Sequence, residues 1–119
     1  MAKVLLAEDD ETMVGLLMTL LKMDGFEVAA VDADDDIAAV VERDRPEVLV
    51  LDAHLSGQSG LDVLEAIRRA DRDHNVRVIM ISGLNVKDES LRRGADEFLL
   101  KPFMPDDLMR LLIKNIKAQ

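Results

Sequence analysis

The chain has 119 residues, 49% apolar and 33% charged, with three Phe as its only aromatics; this suits a single domain, read over residues 1–119, with an aliphatic core. With no Cys, disulfides, thiolate metal sites and cysteine nucleophiles are excluded. A formal net charge of −9, from 24 acidic and 15 basic residues without a basic stripe, argues against direct nucleic-acid binding, which relies on phosphate neutralisation; it favours cations such as Mg2+ or basic protein surfaces.

The segment Met1-Ala2-Lys3-Val4 runs into a strand-like stretch without signal-peptide architecture. No apolar run approaches the ~18 residues of a membrane span, so no membrane partner and a cytoplasmic location are expected. Lys3 to Ala7 reads as a buried strand ending in Glu8-Asp9-Asp10. From Glu11 to Asp24, apolar residues at Met13, Leu16, Leu17, Leu20 and Met23 keep a helical spacing, with Asp10 or Glu11 at the positive end and Gly25 past the last turn. Phe26 to Val31 is a second strand. Asp34 to Asp44 is a second helix, with Ile37, Val40 and Val41 inward, stopped before Pro46.

Glu47-Val48-Leu49-Val50-Leu51-Asp52 is a third strand, apolar until it ends on a carboxylate. Gly60 to Ala70 is a third helix, with Leu61, Leu64 and Ile67 three apart. Arg77 to Ile81 is a fourth strand ending in Ser82-Gly83, followed by a short polar helix around Val86 to Arg93 and by Gly94. Glu97 to Leu100 makes the fifth strand, ending at Lys101-Pro102-Phe103. Met104, Leu108, Leu111, Leu112 and Ile116 mark a last helix, with Pro105 near its first position. Five alternating strand–helix units predict an α/β, flavodoxin-like (βα)5 fold: a doubly wound, parallel five-stranded sheet in the order 2-1-3-4-5.

In such a sheet every strand ends on the same edge, where ligands bind. That edge carries Glu8 and Asp9, Asp52, Ser82 and Lys101. Clustered carboxylates repel unless a cation screens them, and an oxygen-only donor set suits Mg2+. With Lys101 and Ser82 at its border, such a site can receive a phosphoryl group, and Asp52 can be the nucleophile that forms an acyl phosphate. Taken singly, each acid could be a turn former or cap, Ser82 a turn hydroxyl and Lys101 a surface lysine. Four strand ends pointing to one chemistry outweigh that. Asp34-Asp35-Asp36, after the second strand, reads instead as a helix N-terminus.

The motifs Val4-Leu5-Leu6-Ala7-Glu8-Asp9-Asp10, Leu49-Val50-Leu51-Asp52, Gly57-Gln58-Ser59-Gly60-Leu61, Val78-Ile79-Met80-Ile81-Ser82 and Gly94 through Phe103 occur in this order. Together they resemble a response regulator receiver domain of two-component signalling. The resemblance implies that Asp52 is the phosphoacceptor, and that Asp9 and Asp52 bind Mg2+ with Glu8 acting through coordinated water. It implies that His54 offers the metal its backbone carbonyl, that Ser82 and Lys101 contact phosphoryl oxygens, and that Ser82 and Phe98 move together as the switch. The fourth helix, fifth strand and fifth helix would form the output face. Implied partners are a sensor histidine kinase or histidine phosphotransfer protein, and a downstream protein target or effector domain; a phosphorylation-dependent dimer is compatible with this. The implied activity is that of a signalling phosphoacceptor rather than an enzyme, limited to self-phosphorylation and self-dephosphorylation.

Four positions depart from the family pattern. Ser56 stands where Pro is usual, so the loop loses a fixed φ, and Pro there is expected to rigidify it. Gly83 follows Ser82 in place of a small residue such as Ala, and Phe98 lacks a tyrosine hydroxyl. The stretch from Ser82 to Gly94 is about two or three residues shorter than usual, which predicts a short fourth helix, since brief helices are marginal.

Other readings fit less well. A pseudo-receiver, an interaction module working without phosphorylation, would not need the full acidic set with Ser82 and Lys101. A phosphatase of the haloacid-dehalogenase type wants a second Asp where His54 stands. A flavin site wants a phosphate cradle where this first strand ends in acids.

Overall fold

The apolar runs do form one parallel sheet in a computed structural model that describes residues 2–32 and 34–117; Met1, Ala33, Ala118 and Gln119 of the expected 1–119 span lie outside the described residues. In chain order the elements are β1 (Lys3–Ala7), α1 (Glu11–Met23), β2 (Glu27–Ala30), α2 (Ile37–Asp44), β3 (Val48–Asp52), β4 (His54–Leu55), β5 (Gln58–Ser59), α3 (Gly60–Ala70), β6 (Arg77–Ser82), α4 (Lys87–Arg92), β7 (Glu97–Leu100) and α5 (Pro105–Lys117). The large sheet runs β2-β1-β3-β6-β7, all neighbours parallel. This is the expected order, with a small antiparallel pair, β4 with β5, inserted after the third strand.

Side chains alternate across a strand, and here the alternation sorts the helices. Leu5, Leu49, Leu51, Val78 and Met80 face α2 and α3, meeting Ile37, Val41, Leu61, Leu64 and Ile67. Val4, Leu6, Val48, Val50, Ile79 and Ile81 face the other way, against Leu17 and Leu21 of α1 and Leu108 and Leu112 of α5. Every residue of β3 is buried, as a central strand covered on both faces requires. Each fully buried Leu or Ile contributes about 1.5–3 kcal/mol of transfer free energy.

Three local expectations need correcting. On α1 the inward residues are Leu17 and Leu21, while Leu16 (52%) and Met23 (77%) are exposed. The helix is apolar nearly all round, so spacing alone did not select its buried stripe. The second helix starts at Ile37 rather than Asp34, because the Asp36 carboxylate caps it by accepting from the Ala39 amide at 3.1 Å. Met104 is exposed and precedes α5 rather than belonging to its inner face. The fourth helix is short, as expected: six residues with no side-chain N-cap.

The edge where β6 and β7 begin is tied by Arg68 of α3. Its Nε donates to the Gly94 carbonyl at 2.8 Å, Nη1 to the Val76 carbonyl at 2.7 Å, and Nη2 to Asp96 Oδ2 at 3.0 Å. Asp96 also accepts from the Val78 amide and pairs with His74 and Arg77. Burial works to raise the Asp96 pKa, but these bonds overcome it and hold the carboxyl below its ordinary value.

Candidate functional site

At the opposite edge, each strand end delivers one group. The β1 end passes directly into Glu8 and Asp9. The third acid of that run, Asp10, turns away and caps α1, accepting from the Met13 amide at 3.1 Å. Asp52 closes β3, and its neighbour Ala53 extends the ladder by donating to the Ile81 carbonyl at 2.9 Å. The Lys101 amide bonds the Ser82 carbonyl at 2.7 Å, so the lysine leaves β7 still fastened to β6.

From there its side chain reaches the two inner strands. Lys101 Nζ donates to Asp52 Oδ2 at 2.8 Å and to Glu8 Oε1 at 2.5 Å. Both acids are buried, Glu8 to 9% and Asp52 to 5% exposure. Burial is the largest influence pushing the Glu8 pKa up, to about 7, and the adjoining Asp52 carboxylate adds to it against the pull of Lys101. Burial also acts to raise Asp52, but hydrogen bonds from Glu8, Lys101 and the His54 amide win, and its pKa is lowered. Near neutrality, therefore, one proton is shared towards Glu8 while Asp52 stays an anion. An ionised, buried carboxylate oriented by an ammonium is a competent nucleophile.

The structure joins Glu8, Asp52 and Lys101 directly. Asp9 reaches the same loop: its Oδ2 accepts from the Ser56 amide at 2.5 Å. His54 donates its amide to Asp52 Oδ1 at 3.0 Å while the residue itself is exposed. Ser82 is fully buried, and its Oγ accepts from the Leu84 amide at 3.0 Å, so it stands beside the trio without bonding to it. Phe98, paired in register with Met80, is half-buried against the α2 and α3 face.

Two contributors were not legible in advance. Gly60 begins the third helix as expected, but its close approach to the strand was not foreseen: an added Cβ would stand 1.9 Å from the Asp52 carbonyl oxygen. The role of the Ser56 amide leaves no mark in the sequence, because its partner Asp9 lies 47 residues away. A hydrogen bond to a charged group contributes about 1.5–3 kcal/mol, whereas fixing φ with Pro contributes about 0.4–1 kcal/mol. At this position the amide outweighs the lost rigidity.

Among the described residues no three His, Asp or Glu side chains converge closely enough to hold a metal alone. Mg2+ needs fewer, since it keeps several waters and takes one or two carboxylates. Asp9 Oδ1 is buried without any hydrogen-bond partner, a costly state for a carboxylate oxygen. A cation bound there would relieve it, and the all-oxygen donor set fits a hard divalent ion.

Comparison with known proteins places the chain in a family. A family model described as response regulator receiver domain matches residues 4–113, and the chain belongs to that family: it is a receiver domain of the two-component response regulators. It is 35% identical over 118 residues to the transcriptional regulatory protein PrrA of Mycobacterium bovis, covering 98% of this chain and 48% of PrrA. It is 30% identical over 110 residues to the phosphate regulon transcriptional regulatory protein PhoB of Rhizobium meliloti, covering 90% of this chain and 48% of that protein. The chain thus spans about half the length of these curated relatives. Among solved structures, the receiver domain of Francisella response regulator 1452 superposes with a TM-score of 0.89 at 26% identity, covering 99% of this chain and 98% of that one. NtrX of Brucella abortus gives 0.85 at 28% identity, covering 99% of this chain and 27% of NtrX. No helix among the described residues is long and apolar enough to cross a membrane.

Proposed function

We propose that Asp52 accepts a phosphoryl group from a phosphohistidine on a sensor histidine kinase or histidine phosphotransfer protein, and that the chain acts in the cytoplasm as the resulting switch. The observation that supports this most is the Lys101 ammonium held between Glu8 and Asp52. It orients the nucleophile and lies beside the oxygens an arriving phosphoryl group would carry.

In the transfer, an Asp52 carboxylate oxygen forms a P–O bond as the P–N bond to the donor breaks, and the departing imidazole nitrogen takes a proton. Mg2+, when held by the Asp9 and Asp52 carboxylates and the His54 backbone carbonyl, with Glu8 acting through water, supplies charge neutralisation for the phosphoryl oxygens. Lys101 takes one of those oxygens. Ser82 takes another by releasing the Leu84 amide, which links the phosphoryl group to the loop before α4. Phe98 turns with it. The proposed activity is confined to the chain's own phosphorylation and dephosphorylation.

The output surface on this reading is α4, β7 and α5, which expose Leu91, Leu100 and Ile113. Such apolar residues suit contact with a downstream protein or effector domain, or with a second copy after phosphorylation. Incubation with Mg2+ and acetyl phosphate followed by intact mass tests the central claim. The expected result is a gain of one phosphoryl group that Asp52→Asn and chelator both abolish. No gain would leave an interaction module working without phosphorylation.

A further inference from the structure

Ser56 occupies the loop between β4 and β5, in a place where the family usually carries Pro. Pro has no amide hydrogen. Here that hydrogen is used: the Ser56 N–H donates to Asp9 Oδ2 at 2.5 Å, joining the loop after Asp52 to the end of β1. The other oxygen of the same carboxylate, Oδ1, is buried and has no hydrogen-bond partner. A carboxylate with one oxygen anchored to a backbone donor cannot rotate without losing that bond. Its second oxygen is thereby held in one direction.

We propose that the Ser56 backbone amide is a positioning group for the divalent cation, fixing Asp9 so that Oδ1 alone is presented to it. This rests on the metal reading given above. The side chain of Ser56 is immaterial to the role; the amide is what matters. Partners of a ligand that fix its orientation typically govern metal affinity by tenfold or more.

The test is direct cation binding, without phosphorylation. Mn2+ serves as the probe, because the electron paramagnetic resonance signal of the free aqua ion falls as it binds; Mg2+ is then measured by competition. Ser56→Ala keeps the amide and is expected to bind as the wild type does. Ser56→Pro removes it and is expected to bind about tenfold more weakly, with β1 and β3 still native, slowly exchanging strands in metal-free protein. Should Pro perturb the fold, replacing Ser56 by its α-hydroxy acid deletes the same N–H while keeping the side chain, and the same weakening is expected. Equal Mn2+ affinity in wild type and in the folded amide-deleted protein overturns the proposal. A wild-type chain that takes up no Mn2+ overturns the metal reading itself, and the two failures are therefore distinct.

Discussion

The first residue of α3, Gly60, lies against the carbonyl oxygen of Asp52, so closely that a Cβ would stand 1.9 Å from it. Its amide also donates to the Ala53 carbonyl at 2.8 Å. The obstacle is backbone, which cannot swing aside as a flexible side chain can. Gly60→Ala should therefore displace the end of β3, costing about 1–3 kcal/mol as overpacking does, and should slow phosphorylation of Asp52. Gly15, in the middle of α1 with nothing within 4 Å of an added Cβ, is the control: Gly15→Ala should stabilise by about 0.5–1 kcal/mol. Thermal melts of the two variants check the pair. Equal melting temperatures would sink the close-approach argument.

Glu8 makes stability depend on pH in an unusual direction. Its carboxyl titrates near 7 in the folded chain against an ordinary 4.5, chiefly because it is buried and then because Asp52 adjoins it. A raised acid binds its proton more tightly when folded, so its stabilising contribution is complete below about 4.5 and is lost as pH rises towards 7. In chelator, Glu8→Gln should abolish that decline. Above pH 7 it should be more stable than the wild type, by on the order of 2 kcal/mol. Melting temperature followed from about pH 4 to about pH 8, the window that brackets the ordinary and the raised value, is the measurement. Parallel curves for the two proteins would show that Glu8 does not carry the dependence.

The short α4 is held by charge at its far end. Arg93, its C-cap residue, pairs with Asp62 and Glu65 of α3, each at 3.2 Å, and with Glu89 at 2.6 Å. Within α4 itself only Ser90 is buried. Exposed ion pairs are screened by salt. Arg93→Ala should speed amide hydrogen exchange in α4 several-fold, and high salt should do the same to the wild type but add little in the variant. Salt-independent exchange in both would assign the docking of α4 to Val86 and Ala95 instead.

How much of this was readable in the residues follows from the range of each interaction. Strand order and the strand-end groups were legible because β1, β3 and β6 are continuous apolar runs and each ends at a change of chemistry. The buried stripe of α1 was not, since Leu16 and Met23 obey the same spacing as Leu17 and face solvent. Two-residue strands such as β4 and β5 have no periodicity to detect. Long-range partnerships were hidden for a different reason: Arg68 and Asp96 are 28 residues apart, and Ser56 and Asp9 are 47 apart. Nothing local to either residue names its partner.

The Arg68 bond to the Gly94 carbonyl has a mechanical consequence. Ser82 is fastened within β6 at one end of the segment that contains α4, and Gly94 is pinned by the guanidinium at the other. A span clamped at both supports cannot drift when its near support is pulled; it can only change curvature. A displacement of Ser82 towards Asp52 would thus be expressed as bowing of the α4 segment, with its largest excursion near mid-span, around Asp88 and Glu89.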